Sequence, residues 1–278
     1  MIYMEFPGGR RKAFTLSYDD GARQDKHFIE ILDRYGLKAT FNINSGMFEE
    51  KNSGTTGRMS RKEIAELFEN APHEVAVHGL EHGYDNLLHQ SAMAYEIMED
   101  RKNIEELTGR VIRGMAYPFG TYSNELMSCL RSCGIVYSRT VKSTERFDMP
   151  SDWLQLHPSC HHSNKKIFEL CDKFIESKPQ ISQMFYVWGH TFEFDYNEGF
   201  NSWEHIGNFA EKISGHDDIW YATNIEIYDY TKAYERLVVS ADSKMIYNPS
   251  VIPVWFKQGA LNDEGRFCIQ PGETLRLK

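Results

Sequence analysis

Positive charge and long apolar runs are both scarce in this sequence. The formal net charge is -9, which argues against nucleic acid or an anionic membrane surface as a partner. No apolar run is long enough to cross a bilayer, and residues 1–9 lack the basic start and apolar core of a signal peptide. We therefore expect a cytoplasmic protein without a nucleic-acid or membrane partner, and the oligomeric state stays open.

Cysteine is also sparse, and its positions suggest no pairing. The five cysteines are odd in number and scattered, which favours reduced thiols over a disulfide framework. Cys129 and Cys133 lie four residues apart on a predicted helix, but no second pair of ligands is near them in the sequence. We interpret them as core or surface thiols rather than metal ligands.

The sequence does contain a regular alternation of strand and helix patterns. Short apolar runs rich in β-branched or aromatic residues predict buried parallel strands. These runs are Ala13–Tyr18, Lys38–Ile43, Glu74–His78, Val111–Tyr117, Val136–Thr140, Met184–Gly189 and Asp218–Thr223. Amphipathic helical patterns lie between them, for example Gln24–Tyr35 and Trp203–Ile213. This order predicts an α/β fold with a parallel sheet, either open or closed as a barrel.

The pattern changes after Tyr230. Four short runs separated by Pro and Gly predict a small antiparallel β appendage. The 278 residues, of which 41% are hydrophobic and 26% charged, suffice for one large α/β domain or two small ones. We divide the chain into a main domain, residues 1–230, and the C-terminal appendage, residues 231–278.

The first predicted strand ends in two adjacent carboxylates, Asp19 and Asp20. An ordinary Asp-Asp-Gly turn is one explanation. However, like charges this close disfavour each other's ionisation unless a cation or a proton lies between them. Functional side chains in parallel α/β folds also gather at the carboxyl ends of strands. The pair therefore indicates a functional site as an alternative to the turn.

The third predicted strand runs into "HGLEH", which contains His78 and His82. Two histidines four residues apart can converge on one cation in a tight turn, although a structural or surface role is the alternative. The zinc-protease pattern does not fit, because Gly79 follows the first His and the segment follows a strand. Two imidazoles and one carboxylate form a facial set that leaves metal positions open. We predict that one Asp binds a divalent metal and the other handles protons.

Four short motifs follow successive predicted strands: "SYDDG", "HGLEH", "YPFG" and "VWGH". In order and position they resemble the motifs of the polysaccharide deacetylases, the NodB-type family of carbohydrate esterases (carbohydrate esterase family 4). The resemblance implies a distorted (β/α) barrel with about seven parallel strands. It also implies a hydrolase that removes acetyl groups from N-acetylated sugars or an acetylated polysaccharide with one divalent metal ion, often Zn²⁺.

The resemblance assigns roles to the strand-end residues. Asp19 corresponds to the family's catalytic base, whereas Asp20, His78 and His82 correspond to its three metal ligands. His190 corresponds to the general acid that protonates the leaving amine or alcohol.

The resemblance also implies a pocket around these groups. The backbone N–H of Phe119 takes the place of the family's oxyanion donor. Trp188 takes the place of an apolar residue that lines the pocket for the acetyl methyl group. Trp153 is either a pocket wall or a core residue.

Two motifs depart from the family pattern. Ala116 stands where the family's third motif has an Arg that orients and tunes the base, and Arg113 is the nearest Arg before it. Pro118 matches the motif, and we expect Tyr117 and Pro118 to contact substrate. In the second motif, Gly79 stands where a Ser or Thr braces the loop.

Two questions stay open at the level of sequence. The segment with His157, Cys160, His161 and His162 is either a second metal site or a substrate-contacting or surface segment. The function that we expect is deacetylation of an acetylated oligo- or polysaccharide. A sugar-binding pseudoenzyme of the same fold and a metal-dependent amidase on a non-sugar amide are the alternatives.

Overall fold

The centre of the protein is a curved parallel sheet. The computed structural model describes residues 2–49, 57–259 and 265–277, and within them eight parallel strands form this sheet. The strands are β2 (Lys12–Asp19), β3 (Ala39–Ile43), β4 (Glu74–Val77), β5 (Gly114–Ala116), β6 (Tyr137–Arg139), β7 (Cys160–His161), β8 (Gln183–His190) and β9 (Ile219–Tyr221). The spatial order is β6-β5-β4-β3-β2-β8-β7, and β9 pairs with the first residues of β2.

The segment before β7 closes the sheet into a distorted barrel. Leu156 bridges to Arg139 at the end of β6, whereas Cys160 and His161 pair with Val187 and Trp188 of β8. One short segment therefore contacts both ends of the spatial order. This confirms the predicted distorted (β/α) barrel, and it adds β7, which the sequence did not predict.

Helices cover the outside of the barrel. The seven α-helices of the described residues are α1 (Asp25–Arg34), α2 (Arg61–Phe68), α3 (Gln90–Thr108), α4 (Asn124–Ser132), α5 (Ile167–Glu176), α6 (Trp203–Ile213) and α7 (Asn224–Glu235). Ser60 and Glu63 form a capping box at the start of α2, and the Ser123 side chain caps α4. Their apolar faces pack on outward-facing residues of β2 such as Phe14, Leu16 and Tyr18.

The intervening residues of β2 give the barrel a polar interior. Side chains alternate sides along a strand, so Thr15, Ser17 and Asp19 lie on the face opposite the helices. The amide of Asn42 on β3 donates to Ser17 Oγ at 2.8 Å and to Asp19 Oδ1 at 2.8 Å. This row of polar side chains ends at Asp19, at the carboxyl end of β2.

The amino end of the barrel is closed by α7. The Asn224 side chain accepts from Thr15 Oγ1 at 2.9 Å and donates to the Tyr186 hydroxyl at 2.7 Å. Ile227 and Tyr230 of the same helix pack on Ala13, the second residue of β2. The opposite, carboxyl end is where the chain places Asp19 and His190.

Within the described residues, six short strands outside the barrel sheet pair antiparallel. They are β1 (Ile2–Glu5), β10 (Val238–Val239), β11 (Met245–Tyr247), β12 (Val254–Gln258), β13 (Arg266–Ile269) and β14 (Thr274–Arg276). They form two three-stranded sheets, β1-β12-β13 and β10-β11-β14. Five of them lie in the C-terminal appendage, where antiparallel strands were predicted, and β1 lies at the start of the chain. The boundary that we predicted after Tyr230 falls inside α7, and β1 from the start of the chain pairs with β12. The division at this residue stays a prediction.

The state of the cysteines and the apolar character of the helices were also predicted from the sequence. All five cysteines are free thiols, and Cys129 and Cys133 are buried with their sulfurs 4.0 Å apart. No helix among the described residues combines the length and the apolar character needed to cross a membrane.

Candidate active site

Four of the predicted site residues lie at the carboxyl end of the barrel strands. Asp19 and His190 are the last residues of β2 and β8 and are partners in the strand register, and Asp20 and His78 follow β2 and β4 directly. Nε2 of His78 lies 3.7 Å from Oδ2 of Asp19, and Nε2 of His190 lies 3.9 Å from the same oxygen. The buried Asp19 carboxylate is therefore placed between imidazoles from two different strands.

Asp20, His78 and His82 form a compact group of metal-ligating side chains. One ligand atom from each lies within 4.8 Å of the others, and His82 Nε2 is 3.8 Å from Asp20 Oδ1. The backbones of Asp20 and His82 have φ angles of 84° and 54°, in the left-handed region that non-glycine residues rarely occupy. Such backbone strain is typical of sites that the surrounding structure holds in place for function.

The donor set of this group fits a divalent transition metal. The ring nitrogen Nδ1 of His78 lies 2.8 Å from the carbonyl oxygen of Ala116, so Nδ1–H donates to it and Nε2 keeps its lone pair for a ligand. Burial lowers the pKa of His78 to about 4, which keeps the imidazole neutral and able to coordinate. Two imidazoles with one carboxylate are typical of a catalytic zinc site.

Hydrogen bonds from neighbouring elements brace the loop that carries His78 and His82. The Asn44 side chain donates to the carbonyl oxygens of His78 and Gly79, the latter at 2.8 Å. Asp100 of α3 accepts from the backbone N–H of His78 at 3.1 Å. These contacts supply bracing at the position where Gly79 has no side chain to provide it.

Asp19 is held as a carboxylate despite its burial. Burial alone would raise the pKa of Asp19, but the Arg139 guanidinium, His78, His190 and the Asn42 amide together lower it below its ordinary value. Arg139 donates from Nη2 to Oδ2, and Asn42 donates to Oδ1 at 2.8 Å. Both oxygens therefore have a defined partner, which fixes the orientation of the carboxylate.

His190 is oriented by Glu193, three residues after it. Nδ1 of His190 lies 3.2 Å from Oε1 of Glu193, so Nε2 points toward Asp19. Burial lowers the pKa of His190, but the Glu193 hydrogen bond and the charges of Asp19 and Asp20 raise it above its ordinary value. The arrangement favours the protonated imidazolium, the form that a general acid requires.

Glu193 also faces two more imidazoles. Its Oε2 lies 3.3 Å from Nε2 of His161 and 3.1 Å from Nε2 of His162. Burial opposes ionisation, yet His162, His190 and His161 hold the pKa of Glu193 far below its ordinary value. Glu193 is thus an ionised carboxylate surrounded by three histidines from the ends of β7 and β8.

Phe119 lies at the top of a tight turn beside the metal-ligating group. The turn is closed by hydrogen bonds from Gly120 N–H to Tyr117 O at 2.9 Å and from Thr121 N–H to Pro118 O at 3.2 Å. Phe119 has a φ of 56°, and its ring contacts His82 with centroids 4.5 Å apart. The outer side of the Phe119 ring stacks on Tyr84, and both rings are about half exposed.

The first part of the chain has a clear sequence relationship. Residues 7–138 match the family model described as polysaccharide deacetylase. This part of the chain, slightly under half of its length, is similar to that family. The matched range contains Asp19, Asp20, His78, His82 and Phe119, but it ends one residue before Arg139 and excludes His190 and Glu193. No curated protein sequence matches the chain.

Two solved structures with TM-scores above 0.5 share the fold of this chain. A candidate polysaccharide deacetylase from Mycobacterium smegmatis superimposes with a TM-score of 0.61 at 17% identity, covering 84% of this chain and 94% of that one. The Xyl-CE4 domain of a multidomain xylanase from the hindgut metagenome of Trinervitermes trinervoides gives 0.52 at 14% identity, covering 81% and 92%. The Streptococcus pyogenes deacetylase PplD in complex with acetate gives 0.45 at 17% identity, and the match covers 51% of this chain and 61% of PplD.

Two residues that we predicted as substrate contacts are buried in packing positions. Tyr117 is fully buried, and its hydroxyl donates to the Leu154 carbonyl at 2.9 Å. Trp153 packs edge-to-face on Tyr228 of α7, in the cluster at the amino end of the barrel. The Trp153 side chain therefore takes the core position that was its alternative, and the Tyr117 side chain packs inside the protein although the residue directly follows β5. Their roles as substrate contacts stay predictions.

Trp188 and Pro118 are placed near the site. Trp188 lies between Arg139, whose guanidinium is 4.3 Å from the ring centroid, and His161, whose ring is 4.7 Å away. Its indole N–H is buried and has no hydrogen-bond partner among the described residues. Pro118 packs beside Gly79, where a Cβ would come within 3.1 Å of its ring. Their roles as substrate contacts stay predictions.

The segment from His157 to His162 does not form one cluster. His157 binds Thr140, with Nδ1 2.6 Å from Oγ1. Cys160 is fully buried, which raises the pKa of its thiol to about 12. Only His161 and His162 face the site, where they meet Glu193. Geometrically, His161, His190 and Glu193 could hold an ion, but His161 Nδ1 accepts from the Ser163 N–H, which places its proton on the nitrogen facing Glu193.

The structure also identifies site residues that the sequence did not. Arg113 does not reach Asp19, because its guanidinium pairs with Asp229 of α7 at 2.9 and 2.5 Å. Arg139, which occupies a strand predicted as apolar, contacts Asp19 instead. A charged residue inside a buried strand was the available signal, since such a residue needs a partner of opposite charge.

Proposed function

We propose that the protein is a metal-dependent hydrolase that removes acetyl groups from an acetylated carbohydrate. The observation that carries the proposal is the grouping of Asp19, the metal-ligating set of Asp20, His78 and His82, and His190 at one end of the barrel. The match of residues 7–138 to the polysaccharide deacetylase model supports the substrate class.

Asp20, His78 and His82 would hold the cation. When bound, a divalent ion such as Zn²⁺ supplies Lewis acidity, which polarises the acetyl carbonyl and lowers the pKa of water. Asp19 carries the negative charge needed to accept a proton from the attacking water, and its lowered pKa keeps it in this form. Arg139 and Asn42 hold the two carboxylate oxygens in place during this transfer.

The remaining steps use the backbone of Phe119 and the side chain of His190. The backbone N–H of Phe119 donates to the oxyanion of the tetrahedral intermediate. Nε2–H of His190 then gives its proton to the leaving nitrogen or oxygen, while Glu193 stabilises the imidazolium from the other side of the ring. Collapse of the intermediate releases acetate and the deacetylated sugar.

The contacts of Arg139 and Asn44 support the enzyme over the pseudoenzyme alternative. That alternative rested on the missing Arg at Ala116 and on Gly79. Arg139 contacts the base, and Asn44 braces the loop, so the functions of both absent side chains have a substitute.

Acetate release by purified protein tests the proposal. We would incubate the protein with acetylated chito-oligosaccharides, acetylated xylan, and linear and cyclic non-sugar amides, each with Zn²⁺ or Co²⁺ and with EDTA. We expect metal-dependent acetate release from at least one acetylated carbohydrate and none from the non-sugar amides. Turnover of the amides alone would contradict the substrate class, and turnover unaffected by EDTA in a metal-free preparation would contradict the metal.

A further inference from the structure

Arg139 is a fully buried arginine in the barrel interior. It is the last residue of β6, and its register partner on the neighbouring strand β5 is Ala116. Register partners on adjacent parallel strands point to the same face of the sheet. The side chains of Ala116 and Arg139 therefore start from neighbouring points on the interior wall. Ala116 is the position at which the family motif has its Arg.

The contacts of Arg139 converge on Asp19. Nη2 donates to Asp19 Oδ2, Nη1 donates to the Thr140 carbonyl at 3.3 Å, and the guanidinium lies over the Trp188 ring. Asp19 is the carboxylate with which Arg139 pairs within the described residues. The guanidinium is thus held flat by an aromatic ring and aimed at one oxygen of one carboxylate.

A purely structural ion pair explains this arrangement less well. Removing two charges from water costs free energy, and their mutual attraction in the interior often does not offset this cost. Apolar side chains of similar size at the same positions often give equal or greater stability. The partner is also the one carboxylate that lies 3.7 Å from His78 and 3.9 Å from His190. The charge of Arg139 is placed where the chemistry needs a fixed carboxylate.

We propose that Arg139 is the positioning residue for Asp19, and that it supplies from β6 the guanidinium that the family motif supplies from the position of Ala116. The inference rests on the proposed function only in that Asp19 is the base. The pairing of Arg139 with Asp19 is independent of the substrate.

Relocating the guanidinium tests the proposal. We expect Arg139→Ala to lower kcat by roughly 10–100-fold, the usual effect of removing an outer support of a site, with KM and bound metal unchanged. The double variant Arg139→Ala with Ala116→Arg should recover most of this loss, because the new side chain starts one strand away. Arg113→Ala is the matched control, since Arg113 pairs with Asp229 far from the site, and it should keep wild-type kcat.

A second measurement does not depend on activity. Methylguanidinium should raise the melting temperature of Arg139→Ala by filling the vacated space beside Asp19, and the increase should vanish when Asp19→Asn is added. If Arg139→Ala does not fold, Arg139→Met replaces it in all of these experiments, because the Met side chain still fills the space over the Trp188 ring.

The outcomes separate the two proposals. Wild-type protein without acetate release on any sugar would contradict the proposed function, while the melting measurement would still decide the Arg139–Asp19 pairing. Folded, metal-loaded Arg139 variants with wild-type kcat would overturn the positioning role. The positioning role would also be overturned if the Arg139 variants lost bound metal together with activity. It would be overturned as well if methylguanidinium raised the melting temperature equally when Asp19 is replaced by Asn.

Discussion

Asp19 and Asp20 are adjacent in the chain, yet their side chains have different partners. Asp19 contacts Arg139 and Asn42 inside the barrel, whereas Asp20 contacts Arg58 and lies beside His82. The change of direction follows from the backbone of Asp20, whose φ of 84° turns the chain out of the strand. Two like charges can therefore be neighbours in sequence and still have separate counter-charges.

This separation predicts different effects of substituting the two aspartates. Asp20→Ala should lose both bound metal and activity, because two imidazoles alone hold a divalent ion poorly. Asp19→Asn should keep the metal and lose about 10²–10⁴-fold in turnover, the usual cost of removing a general base. Metal analysis and acetate release on both variants decide this. If Asp19→Asn lost the metal while Asp20→Ala kept it, Asp19 would be the metal ligand and Asp20 the base.

Glu193 predicts a shift in the pH dependence of activity. The Glu193 hydrogen bond raises the pKa of His190, and a general acid loses activity as pH rises through its pKa. In Glu193→Gln the pKa of His190 should fall, so the alkaline limb of the rate profile should move to lower pH. The loss should be larger for a sugar amide than for an activated acetyl ester, whose leaving group needs little protonation.

A control on the same loop tests whether this effect is specific. Glu198 is exposed and lies in the segment after His190, so Glu198→Gln removes the same charge without touching the imidazoles. We expect its profile to match that of the wild type. An identical alkaline shift in both variants would indicate a general charge effect and would remove Glu193 from its assigned role.

Sequence reasoning located the strand-end residues but missed their supports. Asp19, Asp20, His78, His82 and His190 were visible because parallel strands collect such residues at one edge. Arg139 and Asp19 are 120 residues apart, and their contact depends on strand register and barrel closure, which motif spacing does not encode. Asn44 and Glu193 were missed for the same reason.

At the scale of elements, the predicted strands and helices were largely correct. Periodicity predicted helices such as Gln24–Tyr35 and Trp203–Ile213, which correspond to α1 and α6. β1, β7, β10 and α7 were missed. The first two are short, and they gain their hydrogen bonds from strands far away in the sequence. α7 mixes apolar and polar residues because it meets both the polar barrel interior and the appendage.

The loop after β4 makes a prediction at this scale. Gly79 has a φ of +76°, and a Cβ there would lie 3.0 Å from Asp85 Oδ2 and 3.1 Å from the Pro118 ring. Gly79→Ala should destabilise the protein by more than the roughly 1–2 kcal/mol that left-handed backbone alone costs a residue with a Cβ. It should also weaken metal binding, because His78 and His82 flank the strained segment.

Gly36→Ala is the matched control for this loop. Gly36 has a φ of +64° at the end of α1, with open space around the added Cβ. In urea unfolding, Gly36→Ala should lower the free energy of unfolding by the cost of the left-handed backbone alone. Its metal affinity should be unchanged in a calorimetric titration. Equal metal affinity in the two variants would contradict a link between the geometry of Gly79 and the ligand set.

At the scale of the whole molecule, the two ends of the barrel are used differently. The carboxyl end carries Asp19 and His190, whereas α7 and the appendage close the amino end. Tyr230 of α7 connects these parts. Its hydroxyl donates to the Glu5 carbonyl of β1 at 2.6 Å and accepts from the Trp255 N–H of β12 at 2.8 Å. Stability and catalysis should therefore be separable by substitution.

Tyr230→Phe should reduce stability and leave turnover unchanged. The substitution leaves a buried carbonyl and a partly buried N–H without their partner, which costs about 1–3 kcal/mol. Tyr228→Phe, two residues earlier on the same helix, is the control, because its hydroxyl makes no hydrogen bond to the described residues. Urea unfolding should show a lower midpoint for Tyr230→Phe alone, and kcat measured well below the melting temperature should equal the wild-type value in both. A fall in kcat for folded Tyr230→Phe would mean that the amino end influences Asp19 through the barrel, since Tyr230 packs at the start of β2 and Asp19 lies at its other end.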